Sequence, residues 1–241
     1  MQIIAFNRCW VIHWRWVCVV LISFAILMGL SIWQLQRAAN KTEILQRLAQ
    51  LEQAGSVTAQ HISGLSAAAA DGLNVIAEAR WLSPSVWLLD NQIVKGRIGY
   101  NVIVPMQLTD TADVILVNLG WVAATAKREE LPQVDVPASL KIDGILRTRI
   151  GGIRLGQNFE DNGRWPMRIQ QIDFAALSTS LKQPLYPGII YQLQNSPYLV
   201  HYQSVVMPPE RHRAYALQWF LLALAVLVVG LAASAKKVTP Q

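Results

Sequence analysis

The reading of the chain turns on residues 208–235, PPERHRAYALQWFLLALAVLVVGLAASA. From position 214 to position 235 the stretch carries no charge. That is about the 20 apolar positions an α-helix needs to span the hydrocarbon core of a bilayer. His212, Tyr215 and Trp219 open it at i, i+3 and i+7, a spacing that stacks them on one helix face. A histidine with two aromatics at the mouth of a membrane helix is either part of an interfacial belt or a ligand site.

A second apolar run lies near the start. Residues 16–33, WVCVVLISFAILMGLSIW, carry no charge, and Gln34 to Gln36 extend the run to Arg37. It is too long for the apolar core of a cleavable signal, and no small-residue cleavage pattern follows it. The expectation is an uncleaved anchor helix, with Trp14, Trp16 and Trp33 at belt positions. Two crossings joined by one loop put Trp33 to Arg37 and His212 to Trp219 in the same leaflet. Gln34, Arg37 and Lys41 share a face of the first helix at i, i+3 and i+7.

The formal net charge of +6 invites a nucleic-acid reading. Arg8, Arg15, Arg37, Lys41, Arg211, Arg213, Lys236 and Lys237 instead flank the apolar runs, where Lys and Arg commonly meet membrane lipid. The expectation is no nucleic acid. The charge count does not choose an orientation; both termini in the cytoplasm is the reading preferred here. The two cysteines, Cys9 and Cys18, lie before and within the first run. The middle of the chain therefore holds no disulfide and no cysteine-based metal site.

Between the crossings, residues 38–53 carry Ile44, Leu45, Leu48 and Leu51 as a helical stripe, and 57–72 reads as a connector. Strand signals follow at 74–82, 86–89, 92–95, 97–108, 114–122, 140–149, 189–193 and 198–207. Asp90-Asn91 is the expected hairpin tip, and Pro105 argues for an edge or a bend. Residues 123–130 read as a short helix, 151–163 as a loop, and Asp173 as the N-cap of a short helix reaching Leu181. The expected fold is a membrane α+β protein, with two transmembrane helices flanking a mainly antiparallel β domain with short helices. Its parts are a cytoplasmic segment 1–15, a crossing 16–36, a helical extension 37–56 and a periplasmic β-rich domain 57–207. An approach segment 208–213, a second crossing 214–235 and a cytoplasmic tail 236–241 complete it.

No phosphate loop, paired-acid motif or nucleophile elbow occurs. His61, Asp90, Asp173 and His201 are scattered, and no enzyme is indicated. Arg147, Arg149, Arg154, Arg164 and Arg168 form either a docking surface for an acidic partner or, more commonly, a solvated loop. Asn118 to Val122 (NLGWV) suggests a close backbone approach beside a packed ring. For His212 both readings stay open: an interfacial residue bound to headgroups, the commoner case for a lone histidine, or a haem-iron ligand. Under the second, Arg37 would suit a propionate.

Several stretches together resemble the surfeit-locus protein 1 family of cytochrome c oxidase assembly proteins. They are Trp33-Gln34-Leu35-x-Arg37 with Lys41, Gly96-Arg97-x-Gly99-Tyr100, Leu116 to Val122, Trp165-Pro166 with Asp173, and Met207 to His212 running on to Phe220. Many relatives carry Arg where this chain has Leu119, and Gly where it has Ser31. The resemblance implies an inner-membrane, multi-pass bacterial protein with its domain in the periplasm. It also implies a role in haem a insertion or retention in the oxidase catalytic subunit, alongside other assembly factors. The resemblance implies His212 as the ligand of the haem iron; helix registry adds the expectation that Tyr215 and Trp219 pack on the macrocycle, with Trp33 and Arg37 of the other helix completing the site. The alternatives are a cofactor-free membrane scaffold for oxidase intermediates and, below that, a membrane-anchored enzyme.

Overall fold

The computed structural model describes residues 2–5, 8–11, 14–150, 158–160 and 163–237. The chain opens with strands β1 (Gln2–Ala5) and β2 (Arg8–Val11) and helices α1 (Trp14–Gln53), α2 (Ala59–Ser63) and α3 (Ala67–Ala70). Strands β3 (Asn74–Trp81), β4 (Trp87–Val94), β5 (Arg97–Leu108), β6 (Val114–Ala123) and β7 (Ser139–Arg147) follow. Then come β8 (Phe159–Glu160), β9 (Met167–Ile169), α4 (Phe174–Leu181), β10 (Ile189–Gln192), α5 (Pro209–Ser234) and β11 (Ala235–Lys237). Two compact units result: Met1–Arg47 with Ser204–Gln241, and Leu48–Gln203.

The first unit is a helical hairpin. α1 and α5 are each long and apolar enough to cross a membrane, and with the β-rich second unit they make this a membrane α+β protein. Along α1 the residues withdrawn from solvent include Val20, Phe24, Leu27, Ser31, Gln34, Ala38, Lys41 and Leu45, in alternating steps of four and three. On α5 they include His212, Ala216, Trp219, Ala223, Val226 and Gly230, in the same rhythm. That repeat keeps one narrow stripe of each helix facing its partner. Small residues let the backbones approach, as in membrane helix pairs generally. Ala223 is fully buried, and a Cβ on Gly230 would stand 2.8 Å from a Val20 methyl carbon. The helices run antiparallel, and β2 pairs antiparallel with both β1 and β11.

In the second unit a ring of strands forms. The sheet runs β3-β7-β10-β6-β5-β4-β9-β8, and β5 also pairs with β3 through Ala79↔Leu108, Arg80↔Gln107 and Trp81↔Met106. Strands β3, β7, β10, β6 and β5 therefore close on themselves, which removes their free edges. Val102, Val104, Met106, Ile115, Val117, Leu119, Ile142 and Ile190 fill one core. Alternate residues point the other way: Trp87, Ile103, Leu116 and Ile189 make a second core with Leu177 of α4. β6 is buried from Val114 to Gly120 on both faces, as its unbroken apolar run implies.

Several expectations are corrected. Asp90-Asn91 is not a turn: β4 passes through it with a bulge between Leu89 and Gln92, and Asn91 takes φ 59°. The turn lies at Lys95-Gly96, where two consecutive positive φ angles, 50° and 76°, match the twist of the flanking strands. β5 is an interior strand. Pro105 is tolerated because it sits where the neighbour of β5 changes, after β4 ends at Ile103 and before β3 begins at Met106; only its carbonyl is used, by Leu82 N–H at 3.1 Å. Residues 123–130 form no helix: β6 runs on through Ala123, and turns follow in which Thr125 Oγ1 donates to the Lys127 carbonyl at 2.6 Å. Residues 198–207 form no strand beyond a bridge between Leu199 and Trp121. The connector 57–72 contains α2 and α3. Asp173 caps α4 as expected, accepting from Ala176 N–H at 3.2 Å. Most of the 151–163 loop, Arg154 included, lies outside the described residues.

Candidate functional site

α5 begins at Pro209, a residue suited to the first helical position, with Glu210 in its first turn. The approach segment expected at 208–213 is therefore mostly helix, and His212 is locked into helical geometry one turn before Ala216. His212 is half-buried in the seam, and its Nδ1 lies 2.8 Å from Gln34 Oε1 on α1. An amide oxygen only accepts, so in this contact Nδ1 is the donor. One turn further along, Ser31 Oγ donates to the Ala216 carbonyl at 2.9 Å, and Ser31 is only 5% exposed. These two polar contacts set which turn of α1 faces which turn of α5.

The other expected site residues divide about this seam. Trp219 is half-buried within it, whereas Tyr215 is 45% exposed beside it. On α1, Gln34 and Lys41 lie in the seam while Arg37 is exposed, with its guanidinium 5.6 Å from the Trp33 ring centre. At about 100° per residue, Arg37 and Trp33 fall about 60° and 100° to one side of Gln34, and Thr42 about 80° to the other. Tyr215 and Arg211 likewise fall about 60° and 100° to one side of His212, and Arg213 about 100° to the other. Arg213 Nη2 donates to Thr42 Oγ1 at 3.4 Å, so those two mark one flank. Trp33, Arg37, Arg211 and Tyr215 consequently share the opposite flank, next to the histidine. Aromatic surface lies there beside cationic side chains.

Gln34 is the residue that sequence reasoning undervalued. It was grouped with Arg37 and Lys41, although the seam separates it from Arg37. The signal available was its place in the run 27, 31, 34, 38, where a polar side chain has to face another helix.

The second unit holds its polar groups in structural roles. Asn118 Oδ1 accepts from Gly120 N–H at 2.8 Å, Gly120 has φ 118°, and the Leu199 carbonyl passes so close that a Cβ would lie 2.8 Å from it. Trp121 lies over Gly99, where a Cβ would meet its ring at 2.5 Å, and its Nε1 donates to the Gln92 carbonyl at 3.0 Å. Close approach beside a packed ring is thus what NLGWV provides. Among the described residues the arginines form no single surface. Arg147 is ion-paired with Asp71 at 3.0 Å, and Arg168 is buried, its guanidinium 5.7 Å from the Tyr100 ring centre. Arg149 and Arg164 are exposed. The buried Asp90 pairs with Arg128 at 2.6 Å. His201 Nε2 donates to Asn101 Oδ1 at 2.6 Å, while His61 is exposed. Among the described residues no three His, Cys, Asp or Glu side chains gather in a way that could hold a bare metal ion.

A helix pair fit for a membrane, a closed-ring β domain and a helix-mouth histidine held by an amide define a membrane-anchored protein that presents an imidazole. The family model described as SURF1 family matches residues 21–224, and the chain belongs to that family, which is associated with cytochrome c oxidase assembly. A comparison with curated proteins returns no match.

Proposed function

We propose that this protein holds haem a and hands it to the catalytic subunit of cytochrome c oxidase during assembly, acting without catalysing a reaction. In this reading it is a multi-pass protein of the bacterial inner membrane, its β domain faces the periplasm, and other assembly factors are further partners. The observation that supports it is the His212–Gln34 pair: Nδ1 is engaged at 2.8 Å and Nε2 makes no hydrogen bond among the described residues. Neutral imidazole with its second nitrogen tied to an acceptor is the usual form of a metal-binding histidine. Haem a, when bound, supplies an iron that accepts such a nitrogen, an apolar macrocycle and carboxylate side chains. His212 would offer Nε2, Tyr215, Trp219 and Trp33 would offer aromatic surface, and Arg37 a guanidinium shaped for a carboxylate. The donor set fits the group.

The test is to purify wild-type protein and His212→Ala from a host that makes haem a. Wild type is expected to carry haem with an absorption spectrum that the variant lacks. Equal haem content and identical spectra would overturn the ligand assignment.

A second reading, a cofactor-free scaffold, is favoured by a different observation. Ile93 and Ile98 pair across the β4–β5 hairpin, yet are 68% and 59% exposed, an apolar surface for a subunit to cover. It predicts that the catalytic subunit co-purifies with this protein from cells unable to make haem a. Loss of association in those cells would leave the first reading alone.

A further inference from the structure

We propose that Gln34 is a positioning residue that holds His212 as the Nδ1–H tautomer before any ligand arrives, and that Ser31 is the pin that keeps Gln34 level with it. The proposal deepens the haem reading, but its first test is independent of haem. Imidazole side chains in water favour the proton on Nε2, which would block that nitrogen as a donor to iron. At the mouth of α5 the preference is reversed by geometry. Among the described residues, the polar atom within hydrogen-bond distance of the ring is Gln34 Oε1, at 2.8 Å from Nδ1. It projects from the seam of α1, where Gln34 is half-buried.

A glutamine side chain has freedom to turn away, so its level on the neighbouring helix decides whether it meets the ring. Ser31 lies three residues before Gln34, and Ala216 lies four residues after His212, so both spacings keep to one stripe of their helix. The Ser31 Oγ to Ala216 carbonyl bond at 2.9 Å joins those stripes one turn from the histidine, in a buried position. An axial slip of α1 by one residue, about 1.5 Å with about 100° of rotation, would break both bonds together. Small residues line the remainder of the seam on α5 at Ala216, Ala223 and Gly230, and these set distance but supply no polar register.

The experiment has two arms on full-length protein in nanodiscs. In haem-free protein with nitrogen-15 histidine, NMR of the His212 ring is expected to show the proton on Nδ1 in wild type and in Gln34→Glu, whose carboxylate also accepts. In Gln34→Leu the proton should move to Nε2, and Ser31→Ala should give a mixture of the two forms. A wild-type ring protonated on Nε2, or one unchanged by Gln34→Leu, would overturn the proposal.

In the second arm the variants are produced with haem a present. Gln34→Leu is expected to retain about 10- to 100-fold less tightly bound haem, in keeping with the loss of a partner behind a metal-binding histidine. Gln34→Glu should restore retention and shift the midpoint potential downward, because a carboxylate makes the imidazole a stronger electron donor. A merely structural role for Gln34 predicts equal losses in both variants and no shift in potential, and that result would also overturn the proposal. If His212→Ala keeps its haem while the tautomer result stands, the haem reading falls and the positioning role remains.

Discussion

At the scale of single residues, the second unit carries its most exacting requirement at Gly99. An added methyl would meet the Val122 carbonyl at 2.2 Å and the Trp121 ring at 2.5 Å, neither of which has room to yield. Gly99→Ala is expected to destabilise the domain by about 1–3 kcal/mol, the usual cost of overpacking, measured by denaturant unfolding in detergent with tryptophan fluorescence as the signal. Two ionisable residues give two separate steps on the acid side of the pH profile. Burial lowers the pKa of His201, against a smaller opposing effect from a backbone hydrogen bond. The unfolded chain then binds the proton more readily, so stability is full above about pH 6.5 and declines as pH falls from there towards the lowered folded value. For Asp71, burial pushes the pKa up, but hydrogen bonds from Thr148 N–H, the Arg147 side chain and Arg149 N–H, with the Arg147 charge, bring it below its ordinary value. Its contribution is present above about pH 4 and lost as pH falls through the depressed value. Stability measured against pH should therefore drop in two stages. His201→Gln should remove the first and Asp71→Asn the second; an unchanged first stage in His201→Gln would exclude this histidine as its source.

At the scale of elements, the helix pair is defined by a stripe on each partner rather than by overall hydrophobicity. Ile26, Ile32, Leu221 and Val228 are exposed in the protein alone, as lipid-facing residues should be, while Ser31, Ala216 and Ala223 are buried. With Cys9 and Cys18 replaced by serine, Ser31→Cys with Ala216→Cys should form a disulfide on mild oxidation, and Ile32→Cys with Ala216→Cys should not. Adding Ala223→Leu to the first pair forces four-carbon bulk into a fully buried position and should lower the cross-linking yield several-fold, read by gel mobility after peptide cleavage. Equal yields from both pairs would mean that the seam runs elsewhere. The strand β4 shows the same dependence on neighbours. Asp90 and Asn91 have the composition of a turn, yet β4 pairs with β5 both before them, at Leu89, and after them, at Gln92, so the two residues form a bulge within one strand.

At the scale of the whole molecule, β11 pairs with β2, which requires the N-terminal end of α1 and the C-terminal end of α5 to meet. A membrane crossed by both helices then has both chain termini on one side and residues 54–203 on the other. Single cysteines at Gln2, Ala126 and Gln241 in a cysteine-free background test this with an impermeant maleimide on intact cells. On the periplasmic orientation proposed above, Ala126→Cys is expected to label, and the terminal pair to label only after lysis. Labelling of one terminus before lysis would require one of the helices not to cross. This SURF1-family chain combines a domain whose strands close on themselves with a helix pair that keeps one imidazole at its mouth.

What the sequence determined by itself was every feature whose cause is local. The two apolar runs are long enough to span a bilayer whatever they pack against, Asp173 caps α4 from three residues away, and the unbroken apolar stretch of β6 could only be buried on both faces. Residues 33, 37, 212, 215 and 219 were also legible as a candidate cluster, because helical periodicity and a shared leaflet need no tertiary information. Only the tertiary structure decided the closure of the strand ring, the bulge that carries β4 through Asp90-Asn91, and the seating of Pro105 between two neighbours. It alone placed Gln34 against His212 across 178 positions of sequence. The physical reason is the same in each case: a hydrogen-bond partner or a helix register is chosen by the energies of groups brought together by folding, and no pattern within one segment contains its partner's position.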